Sequence, residues 1–369
     1  MNLPIRLATL LAVAFALLAA GCGDDDSSES DDGAATSTTT AAAEADLGAI
    51  KSYLTDHSAA LKEQTQALAR DGEAYHELAE KAGFDHARML EENRAEVEAI
   101  LARSKEAYRR ANPAYEEMEG IVAGVASLAD YDVIIDAGSS GEDPENAVPF
   151  DVKLPDGRTL KQPGNFMFLT ETALYGTSEA LAAKNAEPDV NGDGRVAFGE
   201  GLPDAAAWLG VTRDFDRYAG ELDAAAQEFE PTPSDAFSAL VIMTPTMSEY
   251  FEAWKNSRFV SGDAASEQAF VATSRLSDIA DILEGLVFTY DGVRPMIARA
   301  DAAQAKQTQA SLEELRSFAA DLRDREERGR RYTAEEADAL GSQAQGQAEA
   351  IAGQITQAAA KLDVPIDEG

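Results

Sequence analysis

The sequence predicts an all-α protein built from two antiparallel helical bundles. After residue 46, apolar residues recur three and four positions apart with charged residues between them, which is the period of amphipathic helices. The chain has 369 residues, 45% of them hydrophobic, so it is long enough to bury a substantial core. Strand-like alternation is confined to a segment around Pro155-Asp156-Gly157, where we expect a small β-hairpin in a long connection.

The chain is strongly acidic. Its 67 acidic and 31 basic residues give a formal net charge of -36 at pH 7. Such a charge repels phosphate backbones and anionic lipid head groups, and it attracts cations. We therefore expect no nucleic acid partner, and we expect cations among the ligands.

Residues 1–22, MNLPIRLATLLAVAFALLAAGC, have the form of an export signal. A basic start precedes an apolar run, and small residues then lead to Cys22, the single cysteine of the chain. The ending LLAAGC resembles a bacterial lipobox, in which the cysteine receives lipid and the chain is cut before it. We expect a lipoprotein anchored through Cys22 to the extracytoplasmic face of a bacterial cell membrane, with plain secretion as the alternative. Residues 23–45, acidic and rich in Ser, Thr and Ala, are expected to form a disordered tether.

The first bundle is expected at residues 46–230. Long amphipathic helices are predicted between residues 49 and 111, and the pair Asn112-Pro113 is expected to separate them from a helix that begins with YEEMEG. After the hairpin, the helical pattern resumes in FMFLTETALYGTSEALAAKNA and returns in PDAAAWLGVTRDFDRYAGELDAAAQEF.

The second bundle is expected at residues 231–369, and the turn Pro231-Thr232-Pro233 marks its start. One helix is predicted over SEQAFVATSRLSDIADILEGLVFTYDGV and another from PMIARADAAQAK onwards. The last helix opens with TAEEADAL.

The stretch DVNGDGRVAFGE, residues 189–200, has the spacing of an EF-hand calcium loop. Gly194 stands at the sixth place, where such a loop turns sharply, and a glutamate stands at the twelfth. We expect a structural calcium ion rather than a calcium switch, because the sequence has no second loop of this kind; an acidic turn of chance spacing is the alternative. The expected ligands are the side chains of Asp189, Asn191, Asp193 and Glu200 and the backbone carbonyl of Arg195.

Catalytic motifs are scarce. The sequence has no His-Glu-x-x-His, no Gly-x-Ser-x-Gly and no phosphate loop, and it has 3 histidines in all, so we expect that the protein is not an enzyme. His76 and Glu80 lie one helical turn apart and are candidates for sharing a metal, although two solvated side chains are the simpler reading. Glu116 and Glu119 also share one helix face.

Three segments resemble the imelysin-like family, which includes the EfeO-type lipoproteins of bacterial ferrous iron uptake: YEEMEGIVAGVASLADYDVIIDAG, GNFMFLTETALYGT and YTAEEADALGSQAQGQAEAIAGQITQAAAKL. The resemblance implies two four-helix bundles with a cleft, and a metal site around a His-x-x-Glu motif ahead of ALW or ALY. In FLTETALY the glutamate is Glu171, but Phe168 holds the histidine position.

The resemblance implies a cation-binding component of iron or other metal acquisition. Glu116, Glu119 and Glu171 would collect the metal for a membrane permease or a peroxidase partner. Because Phe168 offers no lone pair, the occupancy of this site by iron or zinc stays open. The alternatives are a calcium-stabilised scaffold or binding lipoprotein that has lost the transition-metal site, and a metallopeptidase, for which no nucleophile or activated water is evident.

The lipobox generates a direct prediction. Wild-type protein should partition with membranes and incorporate labelled lipid, whereas Cys22→Ala should do neither, because the thiol that receives the lipid is absent. Metabolic labelling with a fatty acid and fractionation of the cells measure both properties. Equal labelling of the two proteins would contradict the lipoprotein assignment.

Overall fold

The computed structural model describes residues 44–367, and long helices make up most of that span. The expected signal peptide, lipobox and nearly all of the expected tether lie outside the described residues. None of the described helices is long and apolar enough to cross a membrane. The helices, in chain order, are α1 (Leu47–Lys81), α2 (His86–Gly124), α3 (Ala129–Asp132), α4 (Phe166–Tyr175), α5 (Ala205–Glu228), α6 (Pro233–Met243), α7 (Met247–Asn256), α8 (Arg258–Ser261), α9 (Arg275–Ala300), α10 (Ala302–Glu327) and α11 (Ala334–Lys361).

Helices α1, α2 and α5 pack together through apolar faces. Four residues of α1 are fully buried and lie seven residues apart: Leu54, Leu61, Leu68 and Tyr75. Seven residues make about two helical turns, so these side chains form a single stripe along one face of the helix. The hydroxyl group of Tyr75 donates a hydrogen bond to the carbonyl oxygen of Pro203, at 2.9 Å. This bond ties α1 to the segment that leads into α5.

The expected β-hairpin is confirmed. Strands β1 (Asp151–Lys153) and β2 (Thr159–Lys161) are antiparallel, with Val152 opposite Leu160. Gly157 in the connecting turn has a φ of 88°, which glycine adopts without strain. Val152 is buried, and the hairpin covers one side of α5.

The second half of the chain is also helical. Helix α9 packs against α10, and α11 packs against α6, α7 and α10. Helix α2 reaches across to α6 and α9, so the core is continuous between the two halves. The backbones of α2 and α9 come very close at Gly285, where an added Cβ would lie 2.0 Å from the carbonyl oxygen of Glu117. The all-α fold class is thereby confirmed, and the expected boundary near residue 231 falls between α5 and α6.

Two prolines do not end helices as the sequence suggested. Helix α2 continues through Pro113, and α9 continues through Pro295 as far as Ala300. An internal proline costs about 3 kcal/mol in an isolated helix, but both helices have neighbours packed along their length, and this tertiary packing offsets the cost. The irregularity of α2 lies instead at Asn93, whose φ of -136° is not helical.

Two segments predicted as helix are not helical. Helix α4 ends at Gly176, which has a φ of 71°, and the residues after it turn to meet the segment before α5: the N–H of Ala183 donates to the carbonyl of Leu202 at 2.9 Å. Residues 266–274 likewise form no helix, and α9 begins only at Arg275. Both segments find other partners for their backbone groups, and this outweighs their helical pattern.

Candidate functional site

Carboxylate groups from two neighbouring elements converge between the two halves of the chain. Glu116 and Glu119 lie one turn apart on α2, and Asp136 lies on a π-helical turn formed by Val133–Ala137. One carboxylate oxygen from each lies within 4.8 Å of the others. The sequence therefore predicted two members of this cluster, and the fold adds the third.

The guanidinium group of Arg275 lies among these carboxylates. Its Nη1 atom is 3.6 Å from Glu116 Oε2 and 3.2 Å from Asp278 Oδ2, and its Nη2 atom is 3.7 Å from Asp136 Oδ2. The guanidinium carbon also lies 4.5 Å from the ring centre of Tyr250. A buried cation is thus held by acids from three segments and by an aromatic face.

The carboxylates outnumber the donors that reach them. Asn112 donates to Glu116 Oε1 at 2.8 Å and Tyr250 donates to Glu119 Oε1 at 2.8 Å, but the second oxygen of each glutamate is buried without a hydrogen-bond donor. Burial raises the pKa of Glu116 well above its ordinary value, and the nearby charges of Asp278 and Asp136 raise it further, while Arg275 opposes them. The site is therefore short of positive charge.

Glu171 belongs to the same region, but its oxygens are already bonded. On α4, its carboxylate accepts three backbone N–H groups: Phe270 donates to Oε2 at 2.6 Å, and Val271 and Ala272 donate to Oε1 at 3.0 and 2.8 Å. Phe270 has a φ of 53°, which a phenylalanine rarely adopts, so this carboxylate fixes an unusual conformation of residues 270–272. Burial raises the pKa of Glu171 to about 7, against the effect of these three bonds.

A cavity of about 300 Å³ opens beside the cluster. Four acidic residues line it, Glu116, Asp136, Glu171 and Glu267, and three aromatic rings line it as well, those of Tyr108, Phe168 and Phe270. None of the described residues that line it is lysine, arginine, histidine or cysteine. The cavity thus combines excess negative charge with apolar faces.

The expected calcium ligands lie in an exposed loop between α4 and α5, away from this cavity. Asp189 accepts the N–H groups of Gly192 and Gly194, at 2.9 and 3.1 Å, and Asn191 and Asp193 each accept the N–H group two residues ahead, at 2.8 Å. These bonds coil the loop around its own acidic side chains.

Glu200 folds back over the loop, because its Oε2 accepts the N–H of Ala197 at 2.6 Å. The backbone of Arg195 lies within the same coil and donates to Asp193. No helix directly flanks the loop, and Val196, at the eighth place, is 53% exposed. The loop therefore belongs to an irregular connection and not to a helix-loop-helix unit.

The family model described as Imelysin matches residues 47–362. The chain belongs to the imelysin family. A comparison with curated proteins finds no match to it.

The transition-metal site implied by the imelysin resemblance does not fit these residues. Phe168, at the expected histidine position, lines the cavity with its ring, and both oxygens of Glu171 accept backbone N–H groups. The remaining donors are carboxylates that Arg275 already approaches, whereas iron and zinc sites favour imidazole or thiolate ligands. His76, the other candidate, packs edge-on against Phe84 at 5.3 Å, outside the carboxylate cluster.

Sequence reasoning missed three members of this buried cluster: Asp136, Arg275 and Asp278. A signal was present, since Arg275 is the single basic residue of FVATSRLSDIADIL and stands one turn before Asp278. An arginine with an acid three residues further along indicates an ion pair on one face of a helix. The prediction of a longer helix obscured it, because it placed Arg275 in mid-helix and not at a helix start.

The buried acids predict that stability falls as the pH rises. Burial raises the pKa of Glu171 and of Asp136 to about 7 in the folded protein, from ordinary values of 4.5 and 3.8. The folded state therefore binds protons more tightly than the unfolded chain. The stabilisation that each protonated group gives the folded state is complete below its ordinary pKa. It is lost as the pH rises from that value through 7, and the free energy of unfolding falls by about 1.4 kcal/mol per pH unit for each group.

The melting temperature should accordingly be lower at about pH 8 than at about pH 5, and Asp136→Asn should flatten this slope. Thermal unfolding followed by circular dichroism at constant ionic strength measures both, with Asp143→Asn, on the surface, as the matched control. A slope of the opposite sign, or an equal slope in Asp136→Asn, would contradict the assignment.

Proposed function

We propose that this imelysin-family protein is a lipid-anchored extracytoplasmic binding protein that takes up a cation in the cavity beside Glu116. The observation that carries the proposal is Glu116 itself. Its side chain is 1% exposed, and its Oε2 atom lacks a hydrogen-bond donor. A buried carboxylate oxygen of this kind is costly unless a cation or a proton satisfies it.

The surroundings of Glu116 support a cation as the ligand. The cavity lining contributes four acidic residues and no basic one among the described residues. Arg275 is not among the described residues that line the cavity, and at 3.6 Å its Nη1 atom makes no hydrogen bond to Glu116. A ligand with positive charge would supply the missing donor and relieve the repulsion between the carboxylates.

Binding is a better account of this site than catalysis. Ser139 and Ser140 supply hydroxyl groups at the cavity, but no histidine lines it to act as their base. Glu171 is fixed by three backbone bonds, so it is poorly placed to activate a water molecule. We therefore propose a carrier or receptor role at the cell surface, with Cys22 as the membrane anchor.

A cation panel tests the proposal. The mature chain carrying Glu200→Gln, which disables the calcium loop, should gain thermal stability from at least one cation among magnesium, manganese, ferrous iron, zinc and protonated alkylamines. Binding to the folded state alone raises the free energy of unfolding by about 2.7 kcal/mol at a hundred times the dissociation constant. Adding Glu116→Gln should remove most of this gain.

The matched control is Glu145→Gln, which removes one charge from an exposed position. It should leave the gain intact. If no cation in the panel stabilises the protein, the cavity is not a cation site. A gain that survives Glu116→Gln would place the bound cation elsewhere.

We also propose a structural calcium ion in the loop of residues 189–200. The ligand positions are all filled, and the loop already coils around Asp189, Asn191 and Asp193. Its carboxylates are not drawn as close together as those of the Glu116 cluster. A hard divalent cation would neutralise them and tighten the loop.

Calcium should therefore raise the melting temperature of the wild-type protein, and Glu200→Gln should abolish most of the increase, because the twelfth-place glutamate supplies two oxygens. Differential scanning calorimetry at increasing calcium concentration measures the effect. Glu187→Gln, an exposed acid just before the loop, is the matched control and should respond like the wild type. An unchanged melting temperature of the wild type in 10 mM calcium, a concentration about tenfold above the weakest extracellular sites, would rule out the site.

A further inference from the structure

We propose that the cation bound in the cavity is a small organic ammonium ion, held between carboxylates and aromatic rings. This inference rests on the proposed function and names the ligand class of the same site. The carboxylates that face the ligand are those of Glu116, Asp136 and Glu267, and the rings are those of Tyr108, Phe168 and Phe270.

The cavity lining offers two kinds of contact that an ammonium ion uses together. Glu116 lines the cavity, and its buried Oε2 atom has no hydrogen-bond donor, since Arg275 Nη1 stays 3.6 Å away; Glu267 lies half-buried at the same cavity. Aromatic faces attract organic cations through their negative π-surface, and they accommodate the alkyl part of the same molecule.

The protein already holds one organic cation next to this cavity in the same way. The guanidinium group of Arg275 lies 4.8 Å from the ring centre of Phe270 and 4.5 Å from that of Tyr250. Glu116 and Asp136 form ion pairs with the same group. Phe270, Glu116 and Asp136 also line the cavity, so three of its side chains already surround a delocalised cation.

An inorganic cation suits the cavity less well. Magnesium and calcium require about six oxygen ligands at close range, and the transition metals favour imidazole or thiolate ligands. Here Glu171 is bonded to three backbone N–H groups, one oxygen of Glu116 accepts from Asn112, and the rings supply no ligand atom. The volume of about 300 Å³ also exceeds that of a bare ion and matches a small organic molecule.

Isothermal titration calorimetry with defined amines tests the proposal. The mature chain carrying Glu200→Gln is titrated with butylamine and with diaminobutane, and butanol serves as the uncharged counterpart. Both amines should bind and butanol should not. Glu116→Gln should weaken amine binding by about tenfold or more, because a charge-assisted hydrogen bond is lost. Phe168→Leu, which keeps an apolar side chain but removes the ring, should weaken it about threefold to tenfold.

The controls separate this inference from the proposed function. Glu145→Gln should bind amines like the parent protein, and circular dichroism checks that each variant is folded; Glu267→Gln replaces Glu116→Gln if the latter does not fold. Glu116-dependent binding of a metal ion without binding of amines would overturn this inference and leave the proposed function standing. Equal binding of butanol and butylamine would also overturn it. Binding of neither metals nor amines would overturn both.

Discussion

The ion pairs of Arg275 are the interaction on which the centre of this protein depends. One guanidinium group draws in carboxylates from α2, from the π-helical turn and from α9, and it carries the first residue of α9 into the core. Without it, several buried carboxylates would face one another with no positive charge between them. Removing one partner of a buried ion pair strongly destabilises the folded state, because the other partner then remains buried and uncompensated. The positions of α2 and α9 and the conformation of the turn between α3 and the hairpin are therefore linked.

Glu171 determines the conformation of a segment far from it in the sequence. In the resemblance it stands in a metal-binding motif, whereas here its carboxylate accepts three successive backbone N–H groups. That contact shapes the segment before α9, places Phe270 against Arg275, and forms one wall of the cavity. Glu171 and Phe168 thus both line a cavity that is apolar and acidic.

The sequence was sufficient for the fold class, the hairpin and the pairing of Glu116 with Glu119, because these depend on local period, turn residues and helical spacing. It was not sufficient where a distant side chain supplies the hydrogen bonds of a segment. Residues 266–274 have a helical pattern, but Glu171, about a hundred residues earlier in the chain, accepts the N–H groups of residues 270–272. The continuity of α2 through Pro113 is a similar case, since packing on two sides outweighs a local cost. Asp136 joins the site only because the chain folds back after α3.

The way in which the loop of residues 189–200 is attached determines what the proposed calcium ion would do. The loop is tied to α2 by two basic side chains: Arg94 donates to the carbonyl oxygens of Asp189 and Val190, and Lys105 donates to that of Gly199. With no helix attached directly to it, a bound ion would not swing helices apart. It would instead hold the connection between α4 and α5 against α2. Because free calcium is scarce inside cells and plentiful outside them, an ion bound here would hold this connection in place only in the extracytoplasmic location that we propose for the protein.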